Sequence, residues 1–98
     1  MKYLKINKTE KVIINDNQRK EIMKQFKGIT KIILSKNIEL YCDGYEKLDN
    51  TNCFVISNVF GLNFYVYGTA IICHKRKRSL SEKELQLIEI LLKESNKQ

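Results

Sequence analysis

The 98-residue chain has no proline, no tryptophan, only four glycines and a single histidine. Without proline and with so few glycines, it is neither a low-complexity linker nor an array of tight turns. The lone histidine, His74, leaves little for acid–base or nucleophilic work, because its neighbours are Cys73 and a run of cations and no partner is marked. A zinc site at Cys73–His74 lacks the spaced ligand pairs of zinc modules. No glycine-rich phosphate loop follows a strand, and no serine elbow appears. Asp43, Glu46 and Asp49 cluster in one polar loop, as in any solvated loop. A hydrolase built on Asp43, Asp49 and His74 is the weakest reading. The chain reads as a binding protein before an enzyme, with no catalytic residue, metal or cofactor expected.

The three cysteines, Cys42, Cys53 and Cys73, are odd in number and lie among apolar residues. The N-terminus lacks an apolar core followed by a small-residue cleavage site. Buried free thiols and the cytoplasm follow as expectations. Residues 53–73 form an uncharged stretch of 21 residues, long enough to span a bilayer. Its Asn58, Asn63, Ser57, two glycines and FYVY segment suit strands broken by turns better than a membrane helix.

What is abundant is positive charge. The net charge is +7, which favours anionic partners: nucleic acid, nucleotides, acidic protein surfaces or anionic lipid. Residues 1–47 carry eleven Lys/Arg against six Asp/Glu. Lys75-Arg76-Lys77-Arg78 then stand together between an apolar run and a helix start. A strand end must surface, and one or two cations there blunt it. Four in a row exceed that need, since alternate side chains point to both faces.

Periodicity supplies the fold. MKYLKIN alternates Tyr3/Lys5 against Leu4/Ile6, and KVIIN returns as a second strand. Asn15, Asp16 and Asn17 offer N-caps for a helix whose expected left-handed terminator is Gly28. Ile22, Met23 and Phe26 share one face of that helix, beside a basic stripe of Arg19, Lys20, Lys24 and Lys27. That stripe is either a solvated flank or part of an anion site. ITKIILS and IELYC predict a strand pair, and residues 43–52 a loop. CFVI reads as a short strand or a helical turn. GLNFYVYGTAIICHK reads as one long strand, or two with a bulge at Gly68. Ser81 and Glu84 form a capping box, with Leu80 and Leu85 as its hydrophobic staple. The following helix has an apolar face broad enough to lie on the sheet. The expectation is a single α+β domain over 1–98 with residues 94–98 as a frayed tail. It has a small, mostly antiparallel sheet, one helix in the N-terminal half and a C-terminal helix packed on the sheet.

At IELYCDGYEKL, YGTAIIC and SLSEKELQLIEILL the chain resembles a family of small proteins of phages, plasmids and their bacterial hosts, catalogued as a domain of unknown function. Asp43, Lys47 and Leu48 fall in the family's loop, Asn52 matches its asparagine, and Gly68-Thr69 and Ser79-Leu80-Ser81-Glu82 follow in order. The usual loop proline is absent, and Cys53 stands where the family has arginine. The resemblance implies a stoichiometric anti-defence inhibitor in the host cytoplasm. Such a protein would block a bacterial immune nuclease, in the manner of anti-CRISPR proteins, or sequester a nucleotide messenger. The alternative is an accessory protein that binds nucleic acid without sequence readout. In either case Lys75, Arg76, Lys77 and Arg78 are the first candidates for pairing with phosphate or carboxylate. Arg19, Lys20, Lys24 and Lys27 come second, and Tyr65 and Tyr67 are the candidates for stacking on a base. No membrane partner is expected, and the broad apolar helix and open strand edges leave room for a homodimer.

Overall fold

Period-2 alternation becomes five strands of one antiparallel sheet in the computed structural model, which describes residues 1–45 and 52–95. The elements run β1 (Tyr3–Ile6), β2 (Lys11–Ile14), α1 (Asp16–Lys24), β3 (Ile29–Ile33), β4 (Ile38–Asp43), β5 (Cys53–Ser57), β6 (Asn63–Tyr67), β7 (Ala70–His74) and α2 (Glu82–Ser95). The main sheet has the order β2-β1-β7-β4-β3, and β5-β6 form a separate two-stranded hairpin. The fold is α+β.

Register explains the core. Ile13, Leu4, Ile72, Leu40 and Ile32 pair successively across all five strands, making one aliphatic row on one face. That face joins Ile56 and Val66 of the hairpin and Ile88 and Leu91 of α2 in the main core. Each fully buried aliphatic chain there contributes about 1.5–3 kcal/mol. Helix α2 rests chiefly along β5 and reaches the large sheet through the shared core. On the other face Tyr3, Ile14 and Ile71 meet Ile22 and Met23 of α1. The large sheet is thus sandwiched between α1 and the hairpin–α2 layer.

Both helix starts form as their sequences dictate. Asn15 caps α1 in a capping box with Gln18. Ser81 N–H donates to Glu84 Oε1 at 2.8 Å, and Glu84 N–H donates back to Ser81 Oγ at 3.2 Å. Leu80 is buried with Leu85 against the core, as a staple requires.

One glycine departs from expectation, and another marks the break that one of the two readings of residues 61–75 placed there. Gly28 does not terminate α1, whose C-cap is Gln25 in ordinary helical conformation. Gly28 is instead pressed against the Tyr45 ring, where a Cβ would sit 2.5 Å from Cε2. Gly68 has φ +76°, a conformation that strongly favours glycine. Here the chain breaks into β6 and β7, which join different sheets. The uncharged stretch 53–73 is therefore three strands, and no helix among the described residues is long and apolar enough to cross a membrane.

The β5–β6 turn is built from inside. Buried Asn58 accepts the N–H groups of Phe60 and Leu62 on Oδ1, each at 3.0 Å, and its amide reaches the Ile33 carbonyl. Val59, Phe60 and Leu62 are left exposed.

Candidate functional site

The sheet face under α1 is chemically unlike the aliphatic face behind it. Alternation that sends Leu40 and Ile72 into the main core sends Glu39, Tyr41, Ile71 and Cys73 to the other side, with Glu39 paired to Cys73 and Tyr41 to Ile71. Helix α1 has only nine residues and packs against β1. A cavity of about 280 Å³ remains over β7 and β4. Tyr3, Glu39 and Tyr41 form its floor, with Arg19 from α1 and Lys75 and Lys77 from the β7–α2 loop around it.

Arg19 is held by aromatic and thioether contacts. Its guanidinium lies 5.0 Å from the Tyr3 ring centroid, a cation–π distance. Nη1 lies 3.5 Å from Met23 Sδ, a weak acceptor. Arg19 Nε is buried and has no hydrogen-bond partner. A guanidinium loses free energy when its donors are taken from water without acceptors, and the groups already beside this one are the Tyr3 hydroxyl and the Asp16 carboxylate. Tyr3 is positioned from below: its hydroxyl donates to Asp16 Oδ1 at 2.7 Å, and the chain's amino terminus pairs with Asp16 Oδ2 at 3.0 Å. Burial and that hydrogen bond push the Tyr3 phenol up, and the same bond holds the Asp16 carboxyl below its ordinary range.

Glu39 is buried, with Oε1 accepting the Tyr41 hydroxyl at 2.9 Å and Oε2 3.6 Å from Lys31 Nζ. Burial, then the bond to Glu39, pushes Tyr41 up to about 12. Burial, reinforced by the Glu39 charge and opposed by Arg19, pushes the Cys73 thiol up to about 11. Both groups are protonated at neutral pH, so Tyr41 is a donor and Cys73 a poor nucleophile.

The basic run leaves β7 in a tight turn, closed by the Lys77 N–H donating to the His74 carbonyl at 3.0 Å, and the turn divides it. Lys75 and Lys77 line the cavity, whereas Arg76 and Arg78 do not. Arg76 spends its backbone N–H on His74 Nδ1, and Arg78 reaches Glu84 and the Ser79 carbonyl at the α2 cap. Lys77 has φ +56°, the left-handed region, which costs a non-glycine residue about 1–2 kcal/mol. Strain held at a cavity wall is a recurrent feature of functional loops.

Of the helical stripe, only Arg19 joins this cavity. Lys20 and Lys27 are exposed, and Lys24 pairs with Glu21 on the surface at 3.2 Å. Tyr65 and Tyr67 belong to the hairpin on the opposite side of the sheet, apart from these cations. Tyr3 and Tyr41 take the place beside them, and their only signal in the sequence is the period-2 alternation of β1 and β4. Asp43 and His74 stand at opposite ends of the sheet: His74 pairs with Ile38 at the start of β4, and Asp43 ends that strand. Glu46, Lys47, Leu48 and Asp49 lie outside the described residues.

A second, more polar cavity of about 450 Å³ gathers Asp43, Asn52, Gly68 and Thr69 at the other end of α1. Asp43 there accepts the backbone N–H groups of Lys27, Gly28 and Tyr45 at 3.0–3.1 Å, and the bonds from Tyr45 and Lys27 hold its carboxyl below the ordinary range. It is a loop clamp with its oxygens in use. No cluster of metal-ligating side chains occurs among the described residues. The chain matches no family model, no curated protein and no solved structure.

Proposed function

We propose that this protein is a non-enzymatic binding protein that captures a small phosphorylated ligand of the nucleotide class in the cavity between α1 and the sheet. The observation that carries this is Arg19. Its buried Nε has no acceptor, and the residue lines the same cavity as Lys75 and Lys77. Phosphate oxygens would supply that acceptor, with planar guanidinium geometry on one side and two ammonium groups on the other. The rings of Tyr3 and Tyr41 offer stacking surface for a base. The resemblance to mobile-element proteins supports reading this capture as anti-defence, the sequestration of a bacterial immune nucleotide.

Isothermal titration with nucleoside monophosphates tests the reading. Wild type should bind one molecule per chain, and Arg19→Met should weaken binding about tenfold or more. Raising salt should have a modest effect. A steep fall of affinity with salt, growing with polymer length, would favour the nucleic-acid accessory reading instead.

The exposed Val59, Phe60 and Leu62 favour a second reading, the blocking of a defence nuclease by direct contact. Three large apolar side chains exposed within four positions of one turn form a patch of the kind that marks an interaction site. Inhibition of a susceptible nuclease that survives Arg19→Met but not Phe60→Ser would select it.

A further inference from the structure

We propose, resting on the nucleotide reading, that Glu39 is the base-selecting residue of the cavity and that the ligand is a single nucleotide carrying a guanine-type base. The inference begins with a charge that does not belong in a plain phosphate site. Among the described residues Glu39 is the one acid lining the cavity, beside Arg19, Lys75 and Lys77. A carboxylate there weakens anion binding, and burying it is costly. Residues on the other face of the same strand, Ile38, Leu40 and Cys42, are apolar, so the core does not require a carboxylate at this position.

Glu39 does not neutralise Arg19. Its ion pair is with Lys31 at 3.6 Å, and that lysine is half exposed, which makes the pair weak. The Tyr41 hydroxyl fixes Oε1. A carboxylate has about four lone-pair positions, so after Tyr41 and Lys31 each oxygen keeps acceptor capacity. Two acceptor oxygens side by side match a base edge that presents two adjacent N–H donors. Guanine has this edge in its N1–H and 2-amino groups. Adenine and cytosine offer only an amino group beside a ring acceptor, and uracil flanks its one N–H with carbonyls that would face the carboxylate.

Dimensions agree with one nucleotide. Lys75 donates its N–H to the Asn37 carbonyl and so stands beside Glu39 at the start of β4. Strand β7, however, separates Glu39 from Tyr3, under the Arg19 guanidinium, so Arg19 and the carboxylate lie two strand spacings apart, about 10 Å. This is the length scale from a base edge to its 5′-phosphate. A cavity of about 280 Å³ is at the small end of ligand pockets and suits one base and sugar rather than a dinucleotide.

The experiment is titration of GMP, IMP and AMP into wild type, Glu39→Gln and Arg19→Met. IMP keeps N1–H and lacks the 2-amino group. Wild type should prefer GMP over IMP about tenfold, the effect of one charge-assisted hydrogen bond. Glu39→Gln retains an acceptor for Tyr41 and should bring GMP and IMP within about twofold of each other. Arg19→Met should weaken all three nucleotides alike and leave their ratio unchanged. Equal binding of GMP, IMP and AMP by wild type overturns the base assignment while leaving the phosphate site standing. So does an unchanged GMP-to-IMP ratio in folded Glu39→Gln. Absence of binding by every nucleotide overturns both. Should Glu39→Gln fail to fold, the wild-type ratios alone decide.

Discussion

His74 Nδ1 accepts the backbone N–H of Arg76 at 3.0 Å, tying the basic run to the end of β7. With Nδ1 an acceptor, the neutral ring carries its proton on Nε2, which lies 3.4 Å from Glu84 Oε2 without hydrogen-bond alignment. His74 is thus a loop anchor. His74→Ala should destabilise the fold by about 1–3 kcal/mol, because it strands the Arg76 donor. His74→Asn, which keeps an acceptor near Nδ1, should lose less and retain ligand binding. Urea denaturation of the two variants checks the order.

Lys77 offers a test that separates stability from binding. Its left-handed backbone suits glycine, so Lys77→Gly should raise stability by up to about 1 kcal/mol. The same change removes a cavity cation and should weaken ligand binding. Thermal melting and titration of one variant should therefore move in opposite directions.

Acid should loosen the fold through three carboxylates. The carboxyls of Asp16 and Asp43 are held below the ordinary 3.8. That of Glu84 lies below 4.5, because burial, which alone would raise it, is outweighed by its bonds to Ser81. A depressed folded value means the stabilisation is complete above the unfolded values and is lost as pH falls through the folded ones. The urea midpoint should hold near neutrality and drop below about pH 4. Asp43→Asn should lower it at pH 7 and flatten the acid response.

Alkali acts from the other side. Tyr41 rises from 10.0 to about 12 and Cys73 from 9.0 to about 11. A raised value means the protonated, neutral form is favoured by folding, so stability is full below the unfolded values and lost as pH rises through the folded ones. Tyrosinate absorbance should show Tyr41 ionising well above the ordinary 10.0. Alkylation of Cys73 should be slow at neutral pH and slower still when ligand fills the cavity.

Ile72 stands at the centre of the five-strand aliphatic row and is fully buried. Ile72→Ala should cost about 2–5 kcal/mol, a large part of the 5–15 kcal/mol typical of whole domains. Circular dichroism with temperature reads this directly.

Local chemistry made much of this architecture legible in the sequence. Ser81 with Glu84, and Asn15 ahead of α1, announce helix starts because the bonds they make are only three residues long. The strands announce themselves through alternation. What stayed hidden depends on how elements dock. Whether Arg19 or its neighbours Lys20, Lys24 and Lys27 would meet the run at 75–78 is decided by Ile22 and Met23 seating α1 on Tyr3 and Ile71. Tyr65 and Tyr67 carry the stacking signal in the sequence, but after them Gly68 turns the chain from one sheet into the other and leaves them on the hairpin. Gly28 carried a helix-terminator signal, yet its bareness serves the Tyr45 ring.

The buried amide of Asn58 holds its turn through the backbone of Phe60 and Leu62 and the carbonyl of Ile33. The side chains of Val59, Phe60 and Leu62 contribute nothing to that scaffold. The turn is therefore a place where letters can be rewritten without rewriting the shape. A dye, a crosslinker or an immobilising tag placed at position 60 would ride on a rigid post. It would belong to the hairpin layer behind the sheet and leave the α1 cavity open to titration.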